Sequence, residues 1–433
     1  MKKFFKKIIP KFVLQIYHWS FARVGAFVYG HPSRKMIVIG VTGTKGKSTV
    51  VNLISKIFET AGYKTGIIST VNFKIADKEW ANETKQTMPG RFRLQKLLSD
   101  MVKAGCKYAI VETSSEGISQ YRHLGIDYDA AVFTNLTPEH IESHGSFEKY
   151  REAKLKLFQN LFNSYKKNID GNNVKKISVI NHDDKSAEFF LVPPADMKIT
   201  YGLDANNHLM SNDSYEASIL NSDVNGVTFR ILNEMIKLKL LGEFNVYNSL
   251  AAIAVAKFYG IEMNKIKNAL ESVDLIPGRM EEIKNTRGFK VFIDYAHEPS
   301  SLESVYKTLK SFNPNKIISI LGSQGGGRDK IKRPQLGKLA AEYTDYVIVT
   351  NEDPYDEDPE IIIDDVIEGA KQVENGPPIE KIVNRVEAIK KAISIAKEND
   401  IIIITGKGSE TIMAVAEGKM IPWDDRKVVR DNI

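Results

Sequence analysis

Residues 36–58 read MIVIGVTGTKGKSTVVNLISKIF and contain three features in a fixed order. A short apolar run, residues 36–39, ends at Gly40 and predicts a buried β-strand. A turn rich in glycine and threonine follows, and after Lys47 and Ser48 the apolar residues recur at the spacing of an α-helix. This order predicts a phosphate-binding site, because glycines let backbone N–H groups approach the anion and the helix N-terminus adds partial positive charge.

The turn between this strand and helix has the chemistry of a nucleotide site. Lys47 can reach the β- and γ-phosphates, and the Ser48 hydroxyl can ligate Mg²⁺. The strict Walker pattern requires a glycine five residues before Gly46, where this sequence has Val41. The turn therefore predicts nucleotide binding but leaves the reaction open. The residues expected to contact ATP, which we call the phosphate loop, are Gly43, Thr44, Lys45, Gly46, Lys47, Ser48 and Thr49.

The charge of the chain is unevenly distributed. The 433 residues carry a formal net charge of +6, but residues 1–35 contain no Asp or Glu. Basic and acidic residues therefore nearly balance in the rest of the chain, which argues against nucleic-acid binding by the folded body. The single cysteine, Cys106, excludes a disulfide or a cysteine zinc site within the chain and favours a reducing cytoplasm. The basic residues of the first segment are Lys2, Lys3, Lys6, Lys7, Lys11, Arg23, Arg34 and Lys35.

The basic N-terminal segment is predicted to form an amphipathic helix. Its apolar stretch is interrupted by polar residues, lacks a signal-peptide cleavage site and is shorter than a membrane span requires. At about 100° per residue, Arg23 returns to the apolar face, and Pro10 marks a break or kink. Such a segment either lies on anionic lipid, giving peripheral membrane contact through residues 1–30, or packs on the body of the protein. The apolar face comprises Phe5, Ile8, Ile9, Phe12, Ile16 and Trp19.

Apolar strands alternate with helical segments from residue 36 onward. This alternation predicts a parallel, doubly wound α/β sheet with helices on both faces. Between Ile199 and Leu241 the pattern changes, and short alternating stretches predict a small antiparallel subsheet. Helices are expected at residues 94–104, 251–259 and 263–270.

Pro277-Gly278 interrupts the chain and marks the expected boundary between two α/β domains. The strand and helix alternation resumes after it. We expect a basic amphipathic segment at residues 1–35, a central P-loop ATPase domain with a parallel sheet at 36–276, and a Rossmann-like α/β C-terminal domain at 277–433.

Several short motifs follow the phosphate loop in a fixed order. Together with that loop, they resemble the Mur ligase family over roughly residues 36–430. The resemblance is strongest to members that add the third residue to a muramyl peptide. It implies an ATP-dependent amide ligase of peptidoglycan precursor synthesis. The motifs are ETSSEG at 112–117, TNLTPEH at 134–140, HG at 144–145, LGEFNVYN at 241–248, GRME at 278–281, DYAH at 294–297, RDK at 328–330 and GKGSE at 406–410.

The resemblance implies a reaction in two steps. ATP phosphorylates a substrate carboxylate to an acyl phosphate, and the amine of a free amino acid then attacks the carbonyl and expels phosphate. The phosphoryl step depends mainly on positioning and charge neutralisation. By this resemblance Lys47 neutralises the phosphates, and Lys154 is carbamylated so that it can hold a second Mg²⁺. The residues implied in catalysis and Mg²⁺ binding are Lys47, Ser48, Glu112, His140 and Lys154.

Two further groups of contacts are implied by the resemblance. Nucleotide contacts from the linker and the second domain are assigned to Asn248, Arg279, Asp294, Tyr295 and His297. Muramyl-peptide contacts, in which an arginine can pair with a carboxylate or phosphates, are assigned to Thr87, Ser114, Gln120 and Arg122.

The motif expected to select the amino acid departs from the family pattern. Members that add diaminopimelate have arginine where this chain has Tyr355, and arginine suits a distal carboxylate because it binds it bidentately. Glu352 and Asp353 lie beside it and favour a cationic side chain such as that of lysine, while Glu410 is expected to orient the incoming amine. The alternative is that these acids belong to a solvated loop. Ser409 and Glu116 replace residues that are commonly histidine in the family.

The N-terminal region also departs from the family pattern. The nucleotide loop of the family usually follows a uridine-binding domain of about a hundred residues, whereas 35 residues precede the first strand here. We therefore expect that domain to be absent, which leaves open whether the substrate is linked to a nucleotide or to a lipid. Folylpolyglutamate synthetases, a Mur-like subunit that amidates lipid-linked precursors and a non-catalytic nucleotide-binding scaffold are the alternatives.

Overall fold

The computed structural model describes residues 11–139, 144–204, 211–327 and 330–433. Strands and helices alternate along these residues, and the predicted α/β class is confirmed. Two large sheets contain most of the strands. Each sheet is buried between two clusters of apolar side chains, one on each face.

The first sheet has nine strands and is parallel except at one edge. Its strands are β1 (Ile37–Thr42), β2 (Thr65–Ile68), β3 (Asn72–Ile75), β4 (Lys78–Ala81), β5 (Tyr108–Glu112), β6 (Ala130–Phe133), β9 (Ile177–Asn181), β10 (Met197–Gly202) and β11 (Asp213–Glu216); a separate hairpin contains β7 (Asn168–Ile169) and β8 (Asn172–Asn173). The order is β11–β10–β9–β6–β1–β5–β2–β3–β4. Strand β1 pairs parallel with β5 and β6, so the carboxyl ends of these three strands meet at one edge.

Helices cover both faces of this sheet, and every residue of β1 is therefore buried. They are α1 (Lys11–Val28), α2 (Lys47–Thr60), α3 (Arg91–Lys103), α4 (Ser115–Ser119), α5 (Phe147–Asn163), α6 (Ala187–Leu191), α7 (Phe244–Phe258) and α8 (Met263–Glu271). The helix that was expected from residue 251 begins earlier, at Phe244. Its first turns contain Asn245 and Asn248, and these polar residues concealed the helical period.

The antiparallel subsheet begins later than the sequence predicted. Ile199 lies in β10, which pairs parallel with β9 in the large sheet, so the predicted start is wrong. Antiparallel pairing begins at Ser218 and joins β12 (Ser218–Asp223), β13 (Gly226–Ile231) and β14 (Glu234–Leu238). The alternation of a strand shows its exposed and buried faces but does not show the direction of its partner.

The second sheet has six strands in the order β15–β16–β20–β17–β18–β19, where the strands are β15 (Glu281–Ile283), β16 (Lys290–Ile293), β17 (Ile317–Leu321), β18 (Tyr346–Val349), β19 (Ile379–Lys381) and β20 (Ile401–Ile404). Only β15 is antiparallel to its neighbour. A hairpin, β21 (Ile412–Ala414) with β22 (Met420–Pro422), follows. The helices of this part are α9 (Pro299–Lys310), α10 (Lys332–Tyr343), α11 (Pro359–Ala370), α12 (Arg385–Ile395) and α13 (Asp425–Arg430).

Helix α1 packs on the body through its small residues. Ala22 and Ala26 are buried, and Gly25 lies against α3, whereas Trp19 is half-exposed with the Arg23 guanidinium 4.5 Å from its ring centroid. Most of the predicted apolar face lies outside the described residues, because residues 1–10 and the side chains of residues 11–16 are not described. Within the described ranges no helix is long and apolar enough to span a bilayer.

Candidate functional site

The phosphate loop lies at the carboxyl end of β1, and residues after β6 hold it in place. Asn135 accepts hydrogen bonds from two loop amides: its backbone oxygen from Thr44 N at 2.8 Å and its Oδ1 from Lys45 N at 2.9 Å. Gly46 has a φ of 79°, and a Cβ at this position would overlap Asn248 Oδ1. Glycine is therefore required where α7 approaches the loop.

Two lysine ammonium groups bond to backbone oxygens of this loop, that of the partly buried Lys47 and that of the buried Lys154. Lys47 Nζ donates to Thr44 O at 2.7 Å, and Lys154 Nζ donates to Gly43 O at 2.6 Å. Burial lowers the pKa of Lys47, and burial together with the Lys47 charge lowers the pKa of Lys154 well below its ordinary value. Lowering the pKa of a lysine increases the fraction of neutral amine, which is the nucleophilic form.

A chain of hydrogen bonds runs from the start of α2 to the turn after β4. The Glu112 carboxylate accepts from Ser48 Oγ at 2.8 Å, from Thr70 N at 2.8 Å and from Thr70 Oγ1 at 3.0 Å. The Thr70 hydroxyl also bonds to the Thr87 hydroxyl at 2.8 Å. These hydrogen bonds therefore connect the phosphate loop to Thr87, a residue assigned to the muramyl peptide.

The donor set beside the loop fits Mg²⁺. Ser48 and Glu112 bring a hydroxyl and a carboxylate together, and hard oxygen ligands are the ones that Mg²⁺ prefers. His140 lies outside the described residues, so its position is not part of this set. Within the described ranges no group of three or more His, Cys, Asp or Glu side chains forms a metal cluster.

The predicted nucleotide residues outside the phosphate loop divide into two kinds. Arg279 reaches the loop: its Nη2 lies 3.4 Å from Ser48 Oγ, and its guanidinium lies 4.6 Å from the centroid of the Tyr295 ring. Asp294 instead binds the backbone, accepting from Met280 N and Ala296 N at 2.7 Å each. His297 Nδ1 lies 2.7 Å from the carbonyl oxygen of Tyr295, and Asn248 Nδ2 donates to Asn245 Oδ1 at 2.9 Å.

The residues assigned to the muramyl peptide lie together around α4. Arg122 donates to Gln120 Oε1 and Gln86 Oε1, both at 2.8 Å, and burial lowers its pKa. Ser114 has a different position, since its hydroxyl accepts from Gly117 N at 3.2 Å and caps α4. Arg122 and Gln120 are thus the polar groups of this set that lie side by side.

The acids of the selectivity motif are not in a solvated loop, so that alternative is wrong. Glu352 and Asp353 are both buried. Among the described residues, neither carboxylate oxygen of Glu352 has a hydrogen-bond partner, and burial, followed by the Asp353 charge, raises the pKa of Glu352. Burial opposes the ionisation of Asp353, but the Lys407 and Lys85 ammonium groups outweigh it and lower the pKa of Asp353.

Asp353 and Glu410 together form what we call the acidic pocket. Lys407 Nζ donates to Asp353 Oδ1 at 3.0 Å and to Glu410 Oε2 at 2.5 Å. Lys85 Nζ donates to Glu410 Oε2 at 2.9 Å and makes a short ion pair with Asp353. Lys85 comes from the turn after β4, so the two parts of the chain meet at this pocket.

Several residues of the site were not singled out by the sequence. Glu139 is buried near the loop lysines, and its Oε1 accepts from Ser300 Oγ at 3.1 Å. Asn135 and Glu139 lie within the TNLTPEH motif, and Lys407 lies within GKGSE, so the motifs contained the signal. Lys85 lies in no recognised motif.

This arrangement defines a class of enzyme. A nucleotide loop and a magnesium-type donor pair on one α/β sheet lie across from two carboxylates that pair with ammonium groups beside a second α/β sheet. Such a pairing suits an ATP-dependent ligase that joins a carboxylate to an amine.

The family is shown by comparison with known proteins. The Mur ligase middle domain matches residues 41–256, and the Mur ligase glutamate ligase domain matches residues 278–408. The UDP-N-acetylmuramoyl-L-alanyl-D-glutamate–2,6-diaminopimelate ligase of Bacillus cereus is 38% identical over 418 residues, which cover 96% of this chain and 81% of that protein. The chain therefore belongs to the Mur ligase family and is an ATP-dependent ligase of peptidoglycan synthesis.

Solved structures agree with this assignment. A diaminopimelate ligase of the same type is 32% identical with a TM-score of 0.60, and the match covers 92% of this chain and 78% of that one. Folylpolyglutamate synthase of Mycobacterium tuberculosis, complexed with ADP and AMPPCP, has a TM-score of 0.67 over 90% of this chain and 92% of that one. At 17% identity, that second likeness shows the fold alone.

Proposed function

We propose that this protein joins a diamino acid, with L-lysine favoured, to the carboxylate of a muramyl peptide through an acyl phosphate. The acidic pocket carries the choice of amino acid: Asp353 and Glu410 already bind ammonium groups, those of Lys85 and Lys407. Tyr355 offers no cation to the distal carboxylate of diaminopimelate. The relatives named for diaminopimelate support the reaction type and the muramyl acceptor.

Each step of this reaction has residues suited to it. Lys47, which bonds to Thr44 O, and Arg279, which reaches Ser48, neutralise the phosphates of ATP. Arg122 and Gln120 hold the muramyl peptide on the other side of Glu112. Glu410 lies in the acidic pocket, where it would orient the incoming amino acid.

The low pKa of Lys154 supports its predicted carbamylation. After the ammonium loses one proton, the neutral Nζ can attack CO₂: the N–C bond forms, one C=O π bond of CO₂ opens to a carboxylate oxygen, and the nitrogen loses a second proton, so that the cation becomes an anion. Ser48 would hold one Mg²⁺ and the Lys154 carbamate a second, with Glu112 and His140 as the further predicted ligands. Bound there, Mg²⁺ would neutralise developing charge on the transferred phosphoryl group.

The positions of the two large sheets along the chain support the proposed domain division at residues 36–276 and 277–433. The first large sheet ends before residue 276 and the second begins at Glu281, while Arg279 connects the two at Ser48. Closure about a hinge near Pro277 would bring the acidic pocket to the acyl phosphate and exclude water.

A substrate panel tests the proposed function. Phosphate release from ATP is measured with nucleotide-linked and lipid-linked muramyl dipeptide, with folate as an unrelated acceptor, and with L-lysine, diaminopimelate or L-alanine as the amine. We expect kcat/KM for L-lysine to exceed that for diaminopimelate at least about tenfold, because rejection of the distal carboxylate is electrostatic. The Tyr355→Arg variant should move the preference toward diaminopimelate. A wild-type preference for diaminopimelate would refute the lysine assignment, and release that depends on folate alone would refute the muramyl assignment.

We also propose that the protein acts in the cytoplasm and that residues 1–30 contact anionic membrane. Support comes from an exposed apolar stripe on α1 that lies on a different face from the predicted one, because Tyr17, Phe21, Val24 and Val28 share this face and are 40–61% exposed. The lysines that precede α1 supply the charge for anionic lipid.

Flotation with anionic liposomes tests this contact. Full-length protein should float, whereas protein lacking residues 1–30 should stay at the bottom of the gradient. A Phe21→Ser/Val24→Ser variant keeps the buried Ala22 and Ala26 and should lose most of the binding. Equal flotation of all three proteins would refute the contact.

A further inference from the structure

The turn that contains Lys85 is held in a fixed shape. Asn82 Nδ2 donates to Ser69 O at 2.7 Å and to Gln86 O at 3.0 Å, while Asn82 Oδ1 accepts from Thr84 N at 3.0 Å. Lys85 itself has a φ of 50°, in the left-handed region. The turn therefore holds the Lys85 side chain in one direction, away from the first sheet and into the acidic pocket.

The charges of the acidic pocket balance only when Lys85 is present. Asp353 and Glu410 supply two negative charges, and Lys407 and Lys85 supply two positive charges. Lys407 belongs to the second part of the chain and also donates to Ile412 O at 2.7 Å. Lys85 is 268 residues away from Asp353 in sequence and contacts both carboxylates of the pocket through its ammonium group.

A third ammonium group would not be balanced by Asp353 and Glu410. Asp353 is buried, and the Lys85 side chain is only 9% exposed, so an extra charge would gain little help from solvent. Exchange of one ammonium for another keeps the charge balance and the hydrogen bonds, and its free-energy cost is therefore small. A diamino acid can bind at this position if Lys85 leaves.

We propose that Lys85 is a specificity-determining residue that occupies the side-chain ammonium site of the incoming amino acid and competes with it. This inference rests on the proposed function, since it assumes that a diamino acid binds in the acidic pocket. Lys85 raises the apparent dissociation constant for every amine that must displace it, and only an amine able to bind both Asp353 and Glu410 replaces it. Removal of Lys85 leaves a carboxylate pair short of one positive charge, which a substrate ammonium restores.

The turn also connects this exchange to the acceptor side of the site. Gln86 follows Lys85 directly and accepts from Arg122 at 2.8 Å, and Thr87 bonds to Thr70. Departure of Lys85 from the pocket would therefore move the residues beside the assigned muramyl-peptide contacts.

Calorimetric titration of L-lysine into the full-length protein, with a non-hydrolysable ATP analogue present, tests the competition. A site that Lys85 fills about nine-tenths of the time weakens the apparent affinity about tenfold, so Lys85→Met should bind L-lysine about tenfold more tightly than wild type. Lys85→Arg keeps the charge and should stay near wild type. The matched control is Lys78→Met, which removes an exposed lysine of the preceding strand and should change nothing.

A second ligand separates competition from a general loosening of the pocket. L-Norleucine has the chain length of lysine without its terminal amine, and its affinity should not improve in Lys85→Met. Unchanged, weaker or undetectable binding of L-lysine to Lys85→Met overturns the inference, and so does an equal gain for norleucine. Tighter lysine binding together with no muramyl-dependent ligation would instead refute the proposed function and leave the competition intact.

Discussion

Replacement of Lys154 by methionine is expected to lower kcat by about 10³-fold, the loss that follows removal of one positioned electrostatic group from an active site. Lys154 is buried and contacts the phosphate loop through Gly43 O. Methionine fills the same volume and removes a charge that burial disfavours, so the variant should fold. Its midpoint of thermal unfolding should therefore stay close to that of wild type while turnover is lost.

Two measurements check this expectation and its cause. Steady-state phosphate release gives kcat, and ¹³C NMR of wild-type protein in labelled bicarbonate should show a carbamate resonance that Lys154→Met lacks. Lys156→Met is the matched control, because Lys156 lies on the same helix and is exposed. A variant at position 154 that keeps more than about a tenth of wild-type kcat would contradict the assigned role. Full loss of activity without a carbamate signal in wild type would leave Lys154 essential as an amine and would reject its carbamylation.

The central part of the fold could be predicted because its pattern is local. The apolar run of β1, the glycine turn and the helical spacing of α2 follow one another without interruption. Long-range pairing could not be predicted in the same way. The residues of β10 alternate whether the neighbouring strand is parallel or antiparallel, and the wrong start of the antiparallel subsheet at Ile199 follows from this ambiguity.

The same distinction between local patterns and long-range contacts applies to the candidate site. Ser48 and Glu112 were assigned from motifs, and the structure brings their oxygens within 2.8 Å. Lys85 could not be found, because its neighbours form an ordinary polar turn and its partner Asp353 is remote in sequence. Burial could not be read from the sequence. It is the burial of Glu352 and Asp353 that shows that these acids do not belong to a solvated loop.

The second large effect is expected at Glu112, where glutamine should lower kcat by about 10³-fold and raise the Mg²⁺ concentration needed for half-maximal activity about tenfold. The amide oxygen can take the place of Oε2 and accept from Ser48 Oγ and Thr70 N. The amide NH₂ can take the place of Oε1 and donate to the Thr70 hydroxyl, which rotates to accept. The hydrogen bonds therefore survive and only the negative charge is lost, so stability should be retained or should rise slightly.

Glu59→Gln is the matched control for this loss of charge, because Glu59 lies at the other end of α2 and also accepts from hydroxyl groups, those of Thr65 at 2.7 Å and Ser55 at 3.2 Å. Its carboxylate pairs with Lys74 at 2.6 Å, and the control should lower the free energy of unfolding by up to about 1 kcal/mol while kcat stays within about twofold. Titration of Mg²⁺ against phosphate release, with thermal unfolding of each variant, distinguishes the two positions. If Glu112→Gln keeps wild-type turnover at saturating Mg²⁺, the Glu112 carboxylate of the wild type orders Ser48 and Thr70 and does not bind the metal. If it unfolds at lower temperature than Glu59→Gln, the loss of activity reflects structure, and the oxygen pair at the start of α2 is not the magnesium site.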